Sequence, residues 1–497
     1  MNKSFNEIAI KIDKACDIKN ISSLDVLASE VDALLQNELT DISRAELYFY
    51  KANIFAGIRH SNGASNSWSW IQPNLDKEIY SLRLALSFCR FEVIDDVMND
   101  LPSRIETNLA NALNHIGRFC EAIEHWDNVL ERNPSFGMAL LNRSSGLKDY
   151  SRALYDGGHQ KYFLYVAYQS LKEATNGAIE AHAATPMFDL LESFKKITDW
   201  DNIDFSWGKY SLGRSKLERD YREWCLKNRL FVNPLNDLGF HDIAASDVLT
   251  FPSITSPAEP REKLIPEVYG IFNQLKQEFI SSRYLAYEAI TESEKVTHFS
   301  DKRVLIYDTL DYRAYALWVE KLKMAFLSAY AIFDKTAYLI NIYWELGHSP
   351  KNLSFHKIWK TGCNSKQPLS PHFTELNNWP LRGLYWLSKD IFLDNDKTEN
   401  TEPNARLLYD LRNHMSHKYL KIHHAWSMSR GASQLDNNEL FLAISDQEFI
   451  GQTVKLLKLV RNSLIYVSLA AHKEEAGKER GDGYIIPAPL FTIGKRD

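Results

Sequence analysis

An all-α protein is what this sequence predicts, with helical repeats at the N-terminus and a helical bundle at the C-terminus. Three observations carry that expectation. Gly and Pro are scarce, at 21 and 16 of 497 residues, so few breakers interrupt the chain. Apolar residues recur every three or four positions over long stretches, which is the period of a helix with one buried face. The segments between these stretches are polar and rich in turn formers.

Residues 1–195 read as consecutive helices. The clearest unit is NLANALNHIGRFCEAIEHWDNVLERNP, Asn108 to Pro134. Leu109, Ala110 and Leu113 share one helical face, Gly117 and Phe119 mark a turn, and Ala122, Trp126 and Val129 recur at helical spacing before Pro134. This unit resembles a tetratricopeptide repeat, with small residues where two helices approach closely. Glu78 to Phe88 looks like the second helix of another unit, and Gly137 to Tyr150 begins a third that departs from the pattern. Lone repeats do not bury their own faces, so neighbouring helices are expected to cover the ends.

Residues 196–260 are expected to be an aromatic-rich connecting segment with one helix, Leu212 to Lys227, running into a Pro-rich linker with Pro252, Pro257, Pro260 and Pro266 that marks the domain boundary. A bundle over 261–497 follows. Its helices are expected near 266–293, 311–346, 379–393, 405–424 and 446–475. The second shows the plainest stripe, in which Leu322, Phe326, Ala329, Phe333, Ala337, Ile340 and Trp344 step by three or four.

Composition narrows the function classes. A net charge of -6 argues against a general nucleic-acid coat and leaves room only for a local basic patch. The five cysteines are odd in number, widely spaced and form no CxxC pair, which points to reduced thiols and a cytoplasmic location. No signal-peptide pattern opens the chain and no apolar run reaches the length of a membrane span. P-loop, GxSxG, HExxH and dinucleotide fingerprints are missing, and no cofactor is expected. Arg480-Gly481-Asp482 reads as a chance tripeptide.

The chemistry concentrates in Arg412-Asn413-His414-Met415-Ser416-His417-Lys418-Tyr419. Within about two helical turns it sets a permanent cation, an amide, an imidazole and a phenol. Singly, Arg412 would be a solvated surface charge and His417 a structural histidine; together with Asn413 and Tyr419 they form a pattern. RNA carries its own nucleophile in the 2′-hydroxyl, so its cleavage strictly requires no metal. Imidazole suits proton transfer near neutral pH, which makes His417 the candidate acid–base group. Arg412 offers a planar fork to a phosphate gaining charge, and Asn413 could orient phosphate or imidazole. On a continuous helix Arg412 and Tyr419 would share a face, whereas Arg412 and His417 would lie about 140° apart. A second copy across a two-fold axis would close that gap, so a homodimer is expected.

Arg406, Lys418 and Lys421 are the candidate RNA-binding cations, joined by His423, His424 and Arg430 and opposed by Asp410. His414, His417 and His424 could be a metal set, but no carboxylate or cysteine stands at ligand spacing, so no metal is expected. Asp334 lies on the polar side of its helix with Asn341 seven residues on, and one of them is a candidate support for the cleft. Arg461-Asn462 repeats the first two letters of the motif without a histidine and reads as structural.

Arg-Asn-x3-His-x-Tyr in a late helix of a bundle resembles the HEPN superfamily, over residues from about 261 to 475. The segment from Thr297 to Gly347 also looks like a bacterial HEPN group found with helical repeats upstream. The resemblance implies a metal-independent endoribonuclease, commonly dimeric, of the toxin or antiviral-defence kind. It matches Arg412 and His417 to the catalytic pair, Asn413 to the polar residue after the arginine, and Tyr419 to the motif tyrosine. In some toxin–antitoxin relatives that tyrosine receives a nucleotide from a partner protein; this chain carries no evident nucleotidyltransferase. His414 stays a supporting candidate. The competing readings are a non-catalytic HEPN module that binds nucleotide or protein, and a plain scaffold. In the first two, the repeats would hold a protein partner or sense a trigger.

Overall fold

The architecture was obtained as a computed structural model. It describes residues 3–64, 67–89, 100–177, 179–256, 264–293, 297–307, 313–391, 401–425, 440–478, 484–486 and 490. Arg430 and the Arg480-Gly481-Asp482 tripeptide lie outside the described residues.

The N-terminal region runs through α1 (Lys3–Asp17), α2 (Ile21–Leu34), α3 (Asp41–Ser61), α4 (Pro73–Phe88) and α5 (Asp100–His115). It continues through α6 (Phe119–Arg132), α7 (Gly137–Ala153), α8 (Gly157–Ala174) and α9 (Ala184–Lys195). After α10 (Lys216–Lys227) and β1 (Ile254–Ser256) come α11 (Leu264–Ser293), α12 (Leu317–Tyr343), α13 (Pro371–Thr374) and α14 (Trp379–Ser388). Last are α15 (Ala405–His417), β2 (Tyr419–His423), β3 (Phe441–Ser445), α16 (Asp446–Gly477) and β4 (Tyr484–Ile486). The protein is mostly helical, and the chain divides into two compact units.

The first unit holds Met1–Phe205 together with Thr374–Ala405. Its helices pack as consecutive pairs, α3 with α4, α5 with α6 and α7 with α8. Leu109, Leu113, Ala122, Ile123, Trp126 and Val129 fill the α5–α6 seam with almost no exposure, as their spacing requires. Gly117, between those helices, has φ +93° and faces the Trp379 carbonyl and the Gly383 backbone so closely that a Cβ would overlap both. Glycine is needed there for its conformation and for its missing side chain. That approach seats α14. The indole of Trp379 donates to the Asn114 carbonyl at 3.1 Å and stacks obliquely on Phe119, centroids 4.7 Å apart.

Segment 374–405 is also pinned by charge. Asp390 is 2% exposed and accepts from Arg83 at 2.9 Å, and also from Arg118 and Thr401. Lys389 reaches the equally buried Asp76 at 2.7 Å. Residues 374–405 thus group with the paired helices. Leu381, Leu384 and Trp386 bury their surface within the unit built from the paired helices.

The second unit holds Ser206–Phe373 and Arg406–Asp497. Its core is α11 on α12, with α16 against both. Ser445 caps α16 by accepting from the Glu448 amide at 3.1 Å, the spacing of a capping box. The segment from 206 to 256 packs with this unit. Arg283, 2% exposed, grips Asp247 with two bonds of 2.9 Å and donates to the Leu230 carbonyl at 2.8 Å. Arg461, 1% exposed, donates to the Phe231 and Asn233 carbonyls at 2.8 and 2.9 Å and pairs with Asp237. The Arg461-Asn462 dipeptide is thus structural. Two buried arginines need matching carbonyls and carboxylates, and this segment supplies them. Burial pushes the Cys225 thiol up to about 12, which marks an inert core cysteine. β1 pairs antiparallel with β4. No described helix is long and apolar enough to cross a membrane.

Removing the Asp390 carboxylate leaves Arg118 with Glu121 alone and Arg83 with the more distant Glu402 at 3.7 Å, so Asp390→Ala should cost about 3 kcal/mol in a denaturant titration. Burial pushes this carboxyl up, but the Arg118 and Arg83 guanidiniums outweigh it and hold it well below the ordinary carboxylate range. A depressed folded value stabilises above the unfolded value and fails below it. The contribution should be complete at neutral pH and decline as pH falls below about 4, read by acid titration of wild type against Asp390→Ala.

Candidate functional site

α15 carries the motif, with Leu408, Leu411 and His414 on its buried side and Arg406, Ser416 and His417 exposed. The helix ends at His417. Tyr419 to His423 is a strand, β2, in parallel register with β3, with Tyr419 opposite Phe441 and Ile422 opposite Ile444. The expected helix over 405–424 is thus shortened, and Arg412 and Tyr419 do not share a helical face. The cause is long-range: the Tyr-Leu-Lys-Ile-His sequence finds an apolar partner strand, Phe-Leu-Ala-Ile-Ser, about one crossover connection later.

Arg412 is half-buried against α12. Its Nη1 donates to the Asn413 side-chain oxygen at 2.9 Å, and its guanidinium carbon lies 6.0 Å from the Tyr330 ring centroid. Asp334, one turn along α12 from Tyr330, accepts from the Phe355 amide at 3.0 Å. Burial pushes the Asp334 carboxyl up, while the Phe355 amide and the Arg412 charge pull the other way. Burial likewise pushes the Tyr330 phenol up, opposed by Arg412. The guanidinium therefore lies near an aromatic face and within electrostatic reach of a carboxylate, without an ion pair to it. Asn341 does different work, accepting from the His348 amide at 3.0 Å and donating to its carbonyl at 3.1 Å to close the turn after α12.

His417 stands exposed in the last turn of the helix. His414 is 6% exposed, and its Nδ1 donates to the Asp410 carbonyl at 2.7 Å, which leaves Nε2 buried with no partner among the described residues. His424 is engaged with Asp446 at 3.0 Å. Among the described residues, no group of three or more His, Cys, Asp and Glu is placed to hold a metal.

The three candidate RNA-binding cations separate. Lys418 is exposed. Arg406 is exposed but pairs with Asp410 at 3.2 Å. Lys421 is 9% exposed with its ammonium 3.7 Å from the Phe441 ring centroid, so it belongs to the sheet and not to an open patch.

Two neighbours escaped the sequence reading. Arg313 bridges to His423 in the backbone and lays its guanidinium 5.1 Å from the Tyr419 ring centroid, donating to the Tyr419 hydroxyl. Tyr315 meets the same hydroxyl at 3.0 Å. Burial, then the Tyr315 hydroxyl, push the Tyr419 phenol up, against the pull of Arg313. The result is an exposed arginine–tyrosine–tyrosine cluster just past the motif helix. Nothing local announces it, because Arg313 and Tyr419 lie 106 positions apart. A bare pairing of Arg and Tyr types carries no signal at that distance.

A helical bundle with Arg, Asn and His at this spacing in a late helix defines a HEPN domain. Residues 260–474 match the model of the LA2681-like HEPN family, so this chain carries an LA2681-like HEPN domain preceded by paired helices. HEPN domains are often active ribonucleases. No curated protein and no solved structure matches the chain.

Because Arg412 opposes the burial-driven rise at Asp334, Arg412→Ala should move the Asp334 carboxyl further up. Carbon-detected NMR titration of the aspartate carboxyls reads this, and an unmoved Asp334 would mean that the two groups do not interact.

Proposed function

We propose that the protein is a metal-independent endoribonuclease in which Arg412 and His417 carry the chemistry. The observation that supports it most is the arrangement on α15 inside a HEPN domain. Arg412 is bonded to Asn413, near the Tyr330 ring and the Asp334 charge, while His417, on the same helix, is open to solvent.

The substrate's 2′-oxygen attacks the adjacent phosphorus and the 5′-oxygen leaves, giving a 2′,3′-cyclic phosphate and a free 5′-hydroxyl. A proton must leave the 2′-hydroxyl, and one must reach the departing 5′-oxygen. His417 handles one of those transfers. Arg412 stabilises the extra charge on the phosphate oxygens, and Asn413, bonded to it, fixes the direction of the fork. A homodimer would bring two such helices to one cleft, supplying the second proton carrier and covering the angle between Arg412 and His417. Lys418 and the Arg313–Tyr315–Tyr419 cluster would receive the strand, by charge and by stacking. In the cell the protein would act as a toxin or defence effector, with the paired helices binding the trigger or partner that releases it.

His417→Ala should lower RNA cleavage about 100- to 10,000-fold, the usual contribution of a positioned proton carrier, with an unchanged melting temperature. Arg412→Ala should do the same, and EDTA should have no effect. Induced expression with total RNA run on a sizing gel checks this in cells. Growth arrest and new fragments belong to wild type alone, and fragments of equal intensity from both variants would overturn the assignment.

Lys418→Ala should weaken RNA binding and lower the slope of log affinity against log salt by about one contact, roughly 0.7 for a single strand. Lys421→Met should leave that slope alone. Filter binding across a salt series separates the two.

A further inference from the structure

The first unit contains a buried cation with no counterion among the described residues. Arg382, on α14, is fully buried. Its Nη2 donates to the His115 carbonyl, and its guanidinium carbon lies 4.1 Å from the Trp68 ring centroid. Nε and Nη1 are buried with no partner among the described residues. The other fully buried arginines, Arg118, Arg283 and Arg461, each hold a carboxylate. Arg382 holds none. A guanidinium taken out of water without an anion is costly, and a fold that keeps one supplies the anion from outside.

The surroundings describe the anion. His115 gives its carbonyl to Arg382, and its ring nitrogen lies 3.5 Å from the Gln72 amide nitrogen. That amide nitrogen is committed to the Ser67 and Ser69 carbonyls, at 3.1 and 2.8 Å, which fixes which end of the carboxamide is which. The Gln72 oxygen then stands buried with no partner among the described residues. Unused donors on Arg382 and an unused acceptor on Gln72 call for a group that is anionic and also carries a hydrogen. A phosphate monoester or hydrogen phosphate has both, whereas a carboxylate has only acceptors. Arg59, nearby, already belongs to Glu78 at 3.0 Å. Burial, then the Arg382 and Arg59 charges, push the His115 imidazole down to about 4, and the Arg382 guanidinium itself is pushed down to about 10 by burial. Burial alone accounts for the Arg382 shift, while the repulsion at His115 marks uncompensated positive charge beside that ring. Trp68 is the removable cover, being 41% exposed on a loop, while the guanidinium beneath it is fully buried.

We propose that Arg382, covered by Trp68 and flanked by Gln72 and His115, is the receptor for a phosphate-bearing small ligand in the paired-helix unit. This site is separate from the one carrying Arg412 and does not depend on cleavage.

The test is isothermal titration of the full-length chain with inorganic phosphate, done in the Arg412→Ala variant so that the motif helix contributes no phosphate site. The expected result is saturable binding of one phosphate per chain. Arg382→Met, added to Arg412→Ala, should weaken it at least tenfold, with a thermal melt confirming that the doubly substituted chain is folded. Trp68→Ala should keep the stoichiometry, because the cover is not a ligand. Sodium acetate at the same ionic strength should give no saturable heat. Absence of phosphate binding, equal binding with and without Arg382, or acetate binding as well as phosphate would each overturn the proposal. If Arg382→Met unfolds the chain, Gln72→Leu takes its place, with the same expected loss of phosphate binding and the same overturning result.

Discussion

The pairing of Asp390 with Arg118 and Arg83 is the constraint on which the first unit rests. It joins a residue from the middle of the HEPN-matching sequence to helices α4 and α6 of the paired region. Ion pairs this deep gain little over apolar packing, but they punish any other partner severely. Their effect is to specify position. With Gly117 against Gly383 and Lys389 on Asp76, they leave one seat for α14. The same logic recurs in the second unit, where Arg283 and Arg461 specify how residues 206–256 lie against α11 and α16.

Against that background the motif helix is lightly held. α15 buries Leu408, Leu411 and His414, and leaves its C-terminal turn to solvent. The groups that matter divide by firmness. Arg412 is bonded to Asn413, lies over the Tyr330 ring and feels the Asp334 charge. His417 sits in the last turn before the strand, where backbone restraint is weakest. The motif thus sets one restrained cation beside one exposed imidazole on a single helix.

Much of this was legible in the chain. Helical periodicity located α6, α11 and α16 within a few residues, because each buries one continuous face. The motif was legible because its residue types cluster in sequence. What was hidden depended on distant partners. The end of α15 at His417 is decided by β3, about twenty residues on, and the period-two alternation of Tyr419 to His423 is too short to outweigh a helical run before it. The burial of Lys421 follows from the same sheet. The role of residues 206–256 was invisible because proline and aromatic content reads as a linker, while the buried arginines that claim it come from α11 and α16. Arg313 and Tyr315 were missed for the same reason.

The division of the chain has a consequence for how such a protein can change over evolutionary time. The boundary of the HEPN family and the boundary of the compact units disagree, since Thr374–Ala405 lies inside one and is packed with the other. The backbone passes from unit to unit three times, at 205/206, 373/374 and 405/406. A genetic cut at the family boundary would export α14 with its tryptophans bare and Asp390 without its arginines, and would leave a hole between α4 and α6. Such a domain is not a cassette. It can be inherited, tuned and duplicated only together with the helices that precede it, so the paired-helix region and the motif it accompanies are bound to one lineage.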